Sequence, residues 1–439
     1  MQHDMITNRR ILHLATLSSL VTLISSCTAP GTDCATFASS ASPCATPSRI
    51  AYVESNDPGA GKNAILAFAR AEDGSLTPLP GSPFLTQGTG VGNPKQEFGP
   101  DDSDQEIAAS SDRRTLFAVN SGSNTVAVFR IAANGSLCAV PGSPFDSGGE
   151  NPVSVGVAGS YLVVVNKAQD PAHPAPTRPP NYAVFSILPD GALRPVPGST
   201  VETTPGASPT EALISPDGNL VFGTDLLAPL TPEPKGALRS FRLDQGRLIP
   251  GRGTPLALPP DPAGPPLALG LAAHPTLPLL YVGFPGRNQV GVYGYDRDAE
   301  LRSLAVAASS GKAPCWLTIN HAGTILYSTN TPDGTISTYD TTDPRAPREI
   351  QKIALRDTGP IFGEGKMASV SSGPTQLSLD PEGRVLYVVN QRLTVDPQFQ
   401  GGNAVHALSV RADGTLAETL PEVPLPVPPE ARAQGIVVF

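Results

Sequence analysis

Two glutamates, a glutamine and the single tryptophan of this chain fall at one recurring position, and together they could carry acid–base chemistry. Glu106, Glu211, Trp316 and Gln376 occupy the same station when the repeats of the chain are aligned, with Ser154, Gly270 and Gly435 there in the other copies. If the repeats close into a ring, all of them approach a common axis. Carboxyl groups confined in a partly dry channel shift each other's pKa, so that one can donate a proton while the other accepts. The same side chains could instead hold channel water or neighbouring backbone amides.

Other chemistry is sparse. The chain has no HExxH pair, no phosphate-cradling Gly-Lys-Ser/Thr loop, no Gly-x-Ser-x-Gly elbow and no CxxC pair. Beyond the N-terminal segment the histidines are His173, His274, His321 and His406. Two of these stand in turn positions, so neither a metal cluster nor a cofactor is expected. Asp101-Asp102-Ser103-Asp104 has oxygen ligands for a hard cation, but a solvated acidic loop reads the same way. Cys315 lacks a visible basic neighbour and is expected to be an inert core thiol. A net charge of -9 without a basic run argues against a nucleic-acid or anionic-surface partner.

The elements that must position the station repeat along the chain. Seven copies align on Tyr52, Phe117, Val163, Phe222, Tyr281, Tyr327 and Tyr387, spaced 46 to 65 residues apart. Each copy reads as an apolar strand, a turn such as Ser215-Pro216-Asp217-Gly218, a second strand carrying the anchor, a third alternating strand, and a fourth, outer strand. Asn120, Asn166, Asp225, Asn330 and Asn390, three residues after their anchors, are expected to bond their own backbone and favour a turn. Asp73-Gly74, Asn134-Gly135, Asp190-Gly191 and Asp413-Gly414 are expected to close two-residue hairpins. The outer strands repeat Pro-Gly-Ser-Pro-Phe at 80–84 and 141–145, and proline is tolerated on an edge.

One four-stranded unit cannot bury both of its faces, whereas a closed ring of seven can. The expected fold is therefore an all-β, seven-bladed β-propeller over residues 49–439. Gly435-Ile436-Val437-Val438-Phe439 should pair with Ile50-Ala51-Tyr52-Val53-Glu54, completing the first blade and removing two sheet edges. A composition with 49 Pro, 43 Gly and only 16% charged residues suits such a loop-rich β globule. Turns between first and second strands are short, while insertions at 85–104, 167–180, 226–236, 357–373 and 391–402 gather on the opposite face. That elaborated face is the expected ligand or partner surface.

Residues 1–26 read as a signal peptide: Arg9-Arg10, then an apolar run over 11–24 too short to span a membrane comfortably. The run ends Ile24-Ser25-Ser26-Cys27, which resembles a bacterial lipobox and implies lipid on Cys27. Residues 27–48 read as a flexible tether. An exported, membrane-anchored location follows, with lipid as the membrane link. Cys34 and Cys44 could form a disulfide there. Cys138 and Cys315 fall on different blades and are expected to be unbridged, buried thiols.

Pro314-Cys315-Trp316-Leu317-Thr318-Ile319-Asn320, Ile325-Leu326-Tyr327-Ser328-Thr329-Asn330 and Leu386-Tyr387-Val388-Val389-Asn390 resemble the YVTN-type repeats of the seven-bladed lactonase-like propellers, which include 6-phosphogluconolactonases. The resemblance implies a ring-opening hydrolase with a histidine ahead of the fourth innermost strand, where this chain has Ser208-Pro209-Thr210. It implies an acidic turn, matched by Asp225-Leu226, and an Asn-Glu pair in the next blade, replaced here by Phe284-Pro285 with Arg287 nearby. Two functions are therefore open. One is a lipid-tethered scaffold binding a small molecule, glycan or protein, with Asp225, Arg287, Trp316 and Gln376 as ligand-contacting candidates. The other is hydrolysis of an extracellular lactone, with Glu106 or Glu211 as base.

Overall fold

The computed structural model describes residues 49–91, 103–168, 175–204, 206–226, 236–365, 368–394, 396, 398–399 and 401–439. The proposed signal peptide and tether, with Cys27, Cys34 and Cys44, lie outside them.

Among the described residues the strands form seven sheets of four or five strands and one two-stranded sheet. Taken in chain order as blades 1 to 7, the sheets have as innermost strands Gln434–Val438, Ile107–Ala109, Pro152–Ala158, Leu213–Ile214, Leu271–Ala273, Pro314–Ile319 and Ser372–Leu379. The last strand does complete the first blade: Tyr52 is opposite Val437 and Val53 opposite Ile436, and Ile50 and Phe439 exchange backbone bonds of 3.2 and 2.8 Å. Arg70 Nε adds a 2.9 Å bond to the Phe439 carbonyl.

Both sheet faces are covered by a neighbouring blade, so second strands such as Thr115–Asn120 and Leu220–Asp225 are buried at every position. Seven apolar clusters result, one per interface; Tyr52 and Leu116 share the cluster between blades 1 and 2, and Val53 and Tyr387 the one between blades 1 and 7. All seven anchors are at most 1% exposed. Burying such large side chains supplies roughly 1.5–3 kcal/mol each. The tyrosine anchors also bond the next blade. Tyr52 donates to the Gly135 carbonyl at 2.7 Å, Tyr327 to Gly414 at 2.9 Å and Tyr387 to Gly74 at 2.9 Å. Three of the four Asp/Asn-Gly turns thus receive the anchor hydroxyl of the preceding blade; the turn at Gly191 follows the Phe117 anchor, which has none.

Those turns are not two-residue hairpins. Ala71 bonds Ser75, the Gly74 amide bonds back to Ala71, and the same pattern recurs at 132–136, 188–192 and 411–415. Of each dipeptide only the glycine has positive φ, from 83° to 92° at Gly74, Gly135, Gly191 and Gly414. The Asp or Asn instead accepts the amide two residues on, as Asp73 does from Ser75 at 2.9 Å. That bond holds it at negative φ and gives a longer loop with one left-handed residue. The residues after the anchors also differ from expectation. Asn120 and Asn330 bond the side chains of Thr125 and Thr335 on the adjoining strand.

The repeated Pro-Gly-Ser-Pro breaks the outer strand in two. In blade 1, Leu76–Pro78 and Phe84–Leu85 both pair with Ala64–Arg70, and the Ser82 hydroxyl takes the Ala67 amide left between them at 2.9 Å. Ser143 does the same for Val128 at 2.8 Å. The hydroxyl replaces the ladder bond that the bulging proline segment vacates. The expectation for Cys138 is corrected: on its half-buried outer strand it is disulfide-bonded. Cys315 keeps a buried thiol.

Candidate functional site

The station residues meet at the hub, organised by a segment the sequence does not mark. Residues 103–106, leading into blade 2, cross the end of the channel. The Asp104 amide bonds Thr210 of blade 4 at 3.1 Å, and the Gln105 carbonyl accepts the Val155 amide of blade 3 at 2.8 Å. The Ser103 carbonyl accepts Trp316 Nε1 of blade 6 at 2.6 Å and Gln376 Nε2 of blade 7 at 2.9 Å. Gln105 makes the crossing with a φ of 62°. The small residues of the station leave room for it. A Cβ at Gly270 would lie 3.0 Å from Asp104 Oδ2 and 2.8 Å from the Trp316 Cα, and one at Gly435 would lie 2.7 Å from Ile107.

Four carboxyl groups are buried in this hub. Glu106 receives Gln376 Nε2 at 2.8 Å on both oxygens and the Ser103 hydroxyl at 3.1 Å. Burial, reinforced by the charges of Asp104 and Glu54, pushes Glu106 well above the usual carboxylate range. Glu211 is 0% exposed, and neither of its oxygens has a hydrogen-bond partner. Burial, then the Asp104 charge, raises it too, while the Leu271 amide facing it favours the charged form without reaching hydrogen-bond geometry. Glu54 is raised by burial and bonded by Asn63 at 2.7 Å. Asp104 is pushed up by burial to about 7, against the Gln105 amide that it accepts at 2.8 Å.

A cavity of about 500 Å³ lies along the axis. Its mouth is formed by Pro216, Pro275 and His321 in the short first-to-second turns, and its floor by Asp104, Gln105 and Gln376. It therefore opens on the plain face. Glu106 and Glu211 are not among the residues that line it. Asp104, the carboxyl that does, is one that sequence reading considered only as a loop ligand. Its only earlier signal was its place two residues before the station.

The resemblance-derived positions are engaged elsewhere. Asp225 is held by Arg239 in a buried two-point pair, with Nε at 3.0 Å and Nη2 at 2.8 Å. Arg239 was not foreseen as its partner. Arg287 is buried, with its guanidinium 5.7 Å from the Phe284 ring and bonded to the Pro259 carbonyl. Thr210, near where the family histidine is expected, bonds Thr224. His274 caps its own turn through Nδ1, accepting the Leu277 amide at 3.0 Å. His406 is enclosed between Glu418 at 2.6 Å and Glu422 at 3.2 Å. Among the described residues no group of three or more His, Cys, Asp or Glu is arranged to hold a metal ion.

Residues 270–396, covering blades 5 and 6 and the first two strands of blade 7, match the family model described as lactonase, 7-bladed beta-propeller. No curated protein sequence matches the chain. Among solved structures, a Bacteroides fragilis protein named provisionally as a 6-phosphogluconolactonase is 16% identical with a TM-score of 0.61, over 91% of this chain and 100% of that one. The periplasmic gluconolactonase of Pseudomonas aeruginosa is 18% identical with a TM-score of 0.61, over 88% of this chain and 98% of that one. A Lactobacillus plantarum protein is 16% identical with a TM-score of 0.59, over 89% and 99%. Identities this low speak to the fold alone. The chain folds as a seven-bladed β-propeller closed by its C-terminal strand, and its residues 270–396 are similar to the lactonase propeller family.

Proposed function

We propose that this chain is an exported, lipid-anchored propeller that binds a ligand or partner and lacks the lactonase reaction of its fold relatives. The observation that carries this reading is the state of the two candidate bases. Glu106 is tied to Gln376 and Ser103, Glu211 is sealed, and neither lines the axial cavity. A general base must reach the proton it removes. Asp225, the one match to the family site, is neutralised by Arg239. Export is supported by Arg9-Arg10, the apolar run and Cys27, and by the disulfide at Cys138, since such bonds persist in oxidising compartments. The elaborated face, with Arg287 at its base, remains the proposed partner surface for a protein, glycan or small molecule.

The second reading, hydrolysis of an extracellular lactone, is favoured by the family match and by the name of the Pseudomonas neighbour. One experiment separates them. Purified protein is offered gluconolactone and simple γ- and δ-lactones while acid release is followed. The binding reading expects the rate of buffer alone. Hydrolysis that Glu211→Gln or Glu106→Gln abolishes, in a variant with an unchanged melting profile, overturns it.

A further inference from the structure

We propose that the axial cavity is a binding site for a small organic cation with an apolar body, an alkylammonium whose head group sits on the Asp104 carboxyl. This goes beyond the partner surface above, because it lies on the opposite face and uses other residues.

The walls decide the body of the ligand. Ile107, Ile214, Leu271, Leu317, Leu377 and Ile436, from six different innermost strands, line the cavity. Its volume of about 500 Å³ is within the range of small-molecule sites, and apolar walls around a few convergent polar groups are their usual make-up. The floor decides the head. Asp104 and Gln376 stand there, and among the described residues no Arg or Lys lines the cavity, the other ionisable side chain being His321 at the mouth.

The surroundings of Asp104 sharpen the choice. Oδ1 accepts the Gln105 amide, while Oδ2 sits against the bare Cα of Gly270, where an added Cβ would be only 3.0 Å from it. Glu106 and the fully buried Glu211, neither of whose oxygens has a hydrogen-bond partner, are near enough for the Asp104 charge to raise them both. An anion entering this pit meets acids and no counter-charge, whereas a cation gives the buried cluster its missing partner. With Asp104 pushed up to about 7, a carboxylate is available to such a cation at neutral pH.

The test uses the full chain and three probes of equal length: n-octylammonium, 1-octanol and octanoate. Binding is followed by calorimetry and by the fluorescence of Trp316, whose indole bonds the same segment that forms the floor. Octylammonium should saturate one site at least about tenfold more tightly than octanol, with octanoate weakest. Asp104→Asn should bring octylammonium to within about threefold of octanol, leaving octanol unchanged. Ala273→Trp, which fills the cavity from its wall, should weaken both by about tenfold or more. Equal affinity for octanoate and octylammonium overturns the proposal. So does an absence of saturable binding, or an ammonium preference that survives Asp104→Asn. If Asp104→Asn does not fold, the ranking of the probes on the native protein and the Ala273→Trp result decide.

Discussion

Raising the pH from 4.5 to 6.0 should destabilise this protein, and replacing Asp104 with Asn should remove a defined part of that loss. Asp104 ionises near 3.8 when unfolded and is pushed by burial to about 7 when folded. Across the window the folded state therefore keeps a proton that the unfolded state has released. Stability falls by about 1.4 kcal/mol per pH unit for each such proton, so Asp104 alone accounts for a loss of about 2 kcal/mol over the window. Glu54, Glu106 and Glu211, also raised by burial from 4.5, act in the same direction. The native slope should lie between one and four protons, and Asp104→Asn should lower it by about one.

The window avoids two other effects. Exposed carboxylates such as Asp73 and Asp413 are held below 3.8 by local hydrogen bonds, so their contribution is complete above that range. His406 enters only above its unfolded value of 6.5. Burial opposes its charge, but Glu418 and Glu422 outweigh burial and raise its pKa, so its stabilisation is lost as pH rises through the folded value. Urea titrations at closely spaced pH values, read by Trp316 fluorescence, measure the slope. A flat or rising stability between pH 4.5 and 6.0, or an Asp104→Asn slope equal to the native one, would refute the placement of protonated acids at the hub.

Arg239→Ala should cost about 3–5 kcal/mol in urea unfolding, because it leaves Asp225 charged and buried. Adding Asp225→Asn should recover part of that loss. Phe439→Ala should cost a similar ~3–5 kcal/mol, since this ring packs in the blade 1–2 cluster at 5.8 Å from Tyr52; a change under ~0.5 kcal/mol would show that the closing strand is not anchored there. Trp316→Phe removes the indole bond to Ser103 and should lower the urea m-value, followed by circular dichroism, if the crossing segment couples blades that do not touch. Cys27→Ser should move the expressed protein from the membrane fraction to the soluble one, whereas Cys315→Ser should leave its distribution unchanged.

The ring was legible because its signals repeat. One anchor in each copy, buried on both faces, fixes seven strands, and those fix the station that puts Glu106, Glu211, Trp316 and Gln376 at the hub. What repetition cannot encode is a departure from it. Ser103 to Glu106 cross the axis through a single left-handed residue, Gln105, which no propensity flags. Without that crossing Glu106 reads as an open channel acid, and with it the same side chain is sealed under Gln376. The turn dipeptides were misread for a related reason: Asp-Gly fits two hairpin geometries, and the choice was made by the Asp side chain bonding Ser75 and its equivalents.

The crossing segment also changes what kind of repeat protein this is. In a stack of repeats each unit contacts its neighbours, and stability is close to a sum of local interfaces. Here blade 2 bonds blade 4 through Asp104 and Thr210, and blades 6 and 7 through the Ser103 carbonyl. Three non-adjacent wedges are thereby fastened to one short stretch of backbone. A protonated Glu106 suits this joint better than an ionised one, because it can meet Gln376 with no uncompensated charge in a space that Trp316 and the innermost strands keep dry. The acids that look catalytic in the sequence are then what a closed hub requires, and the one acid left facing the cavity, Asp104, is the one available to a ligand.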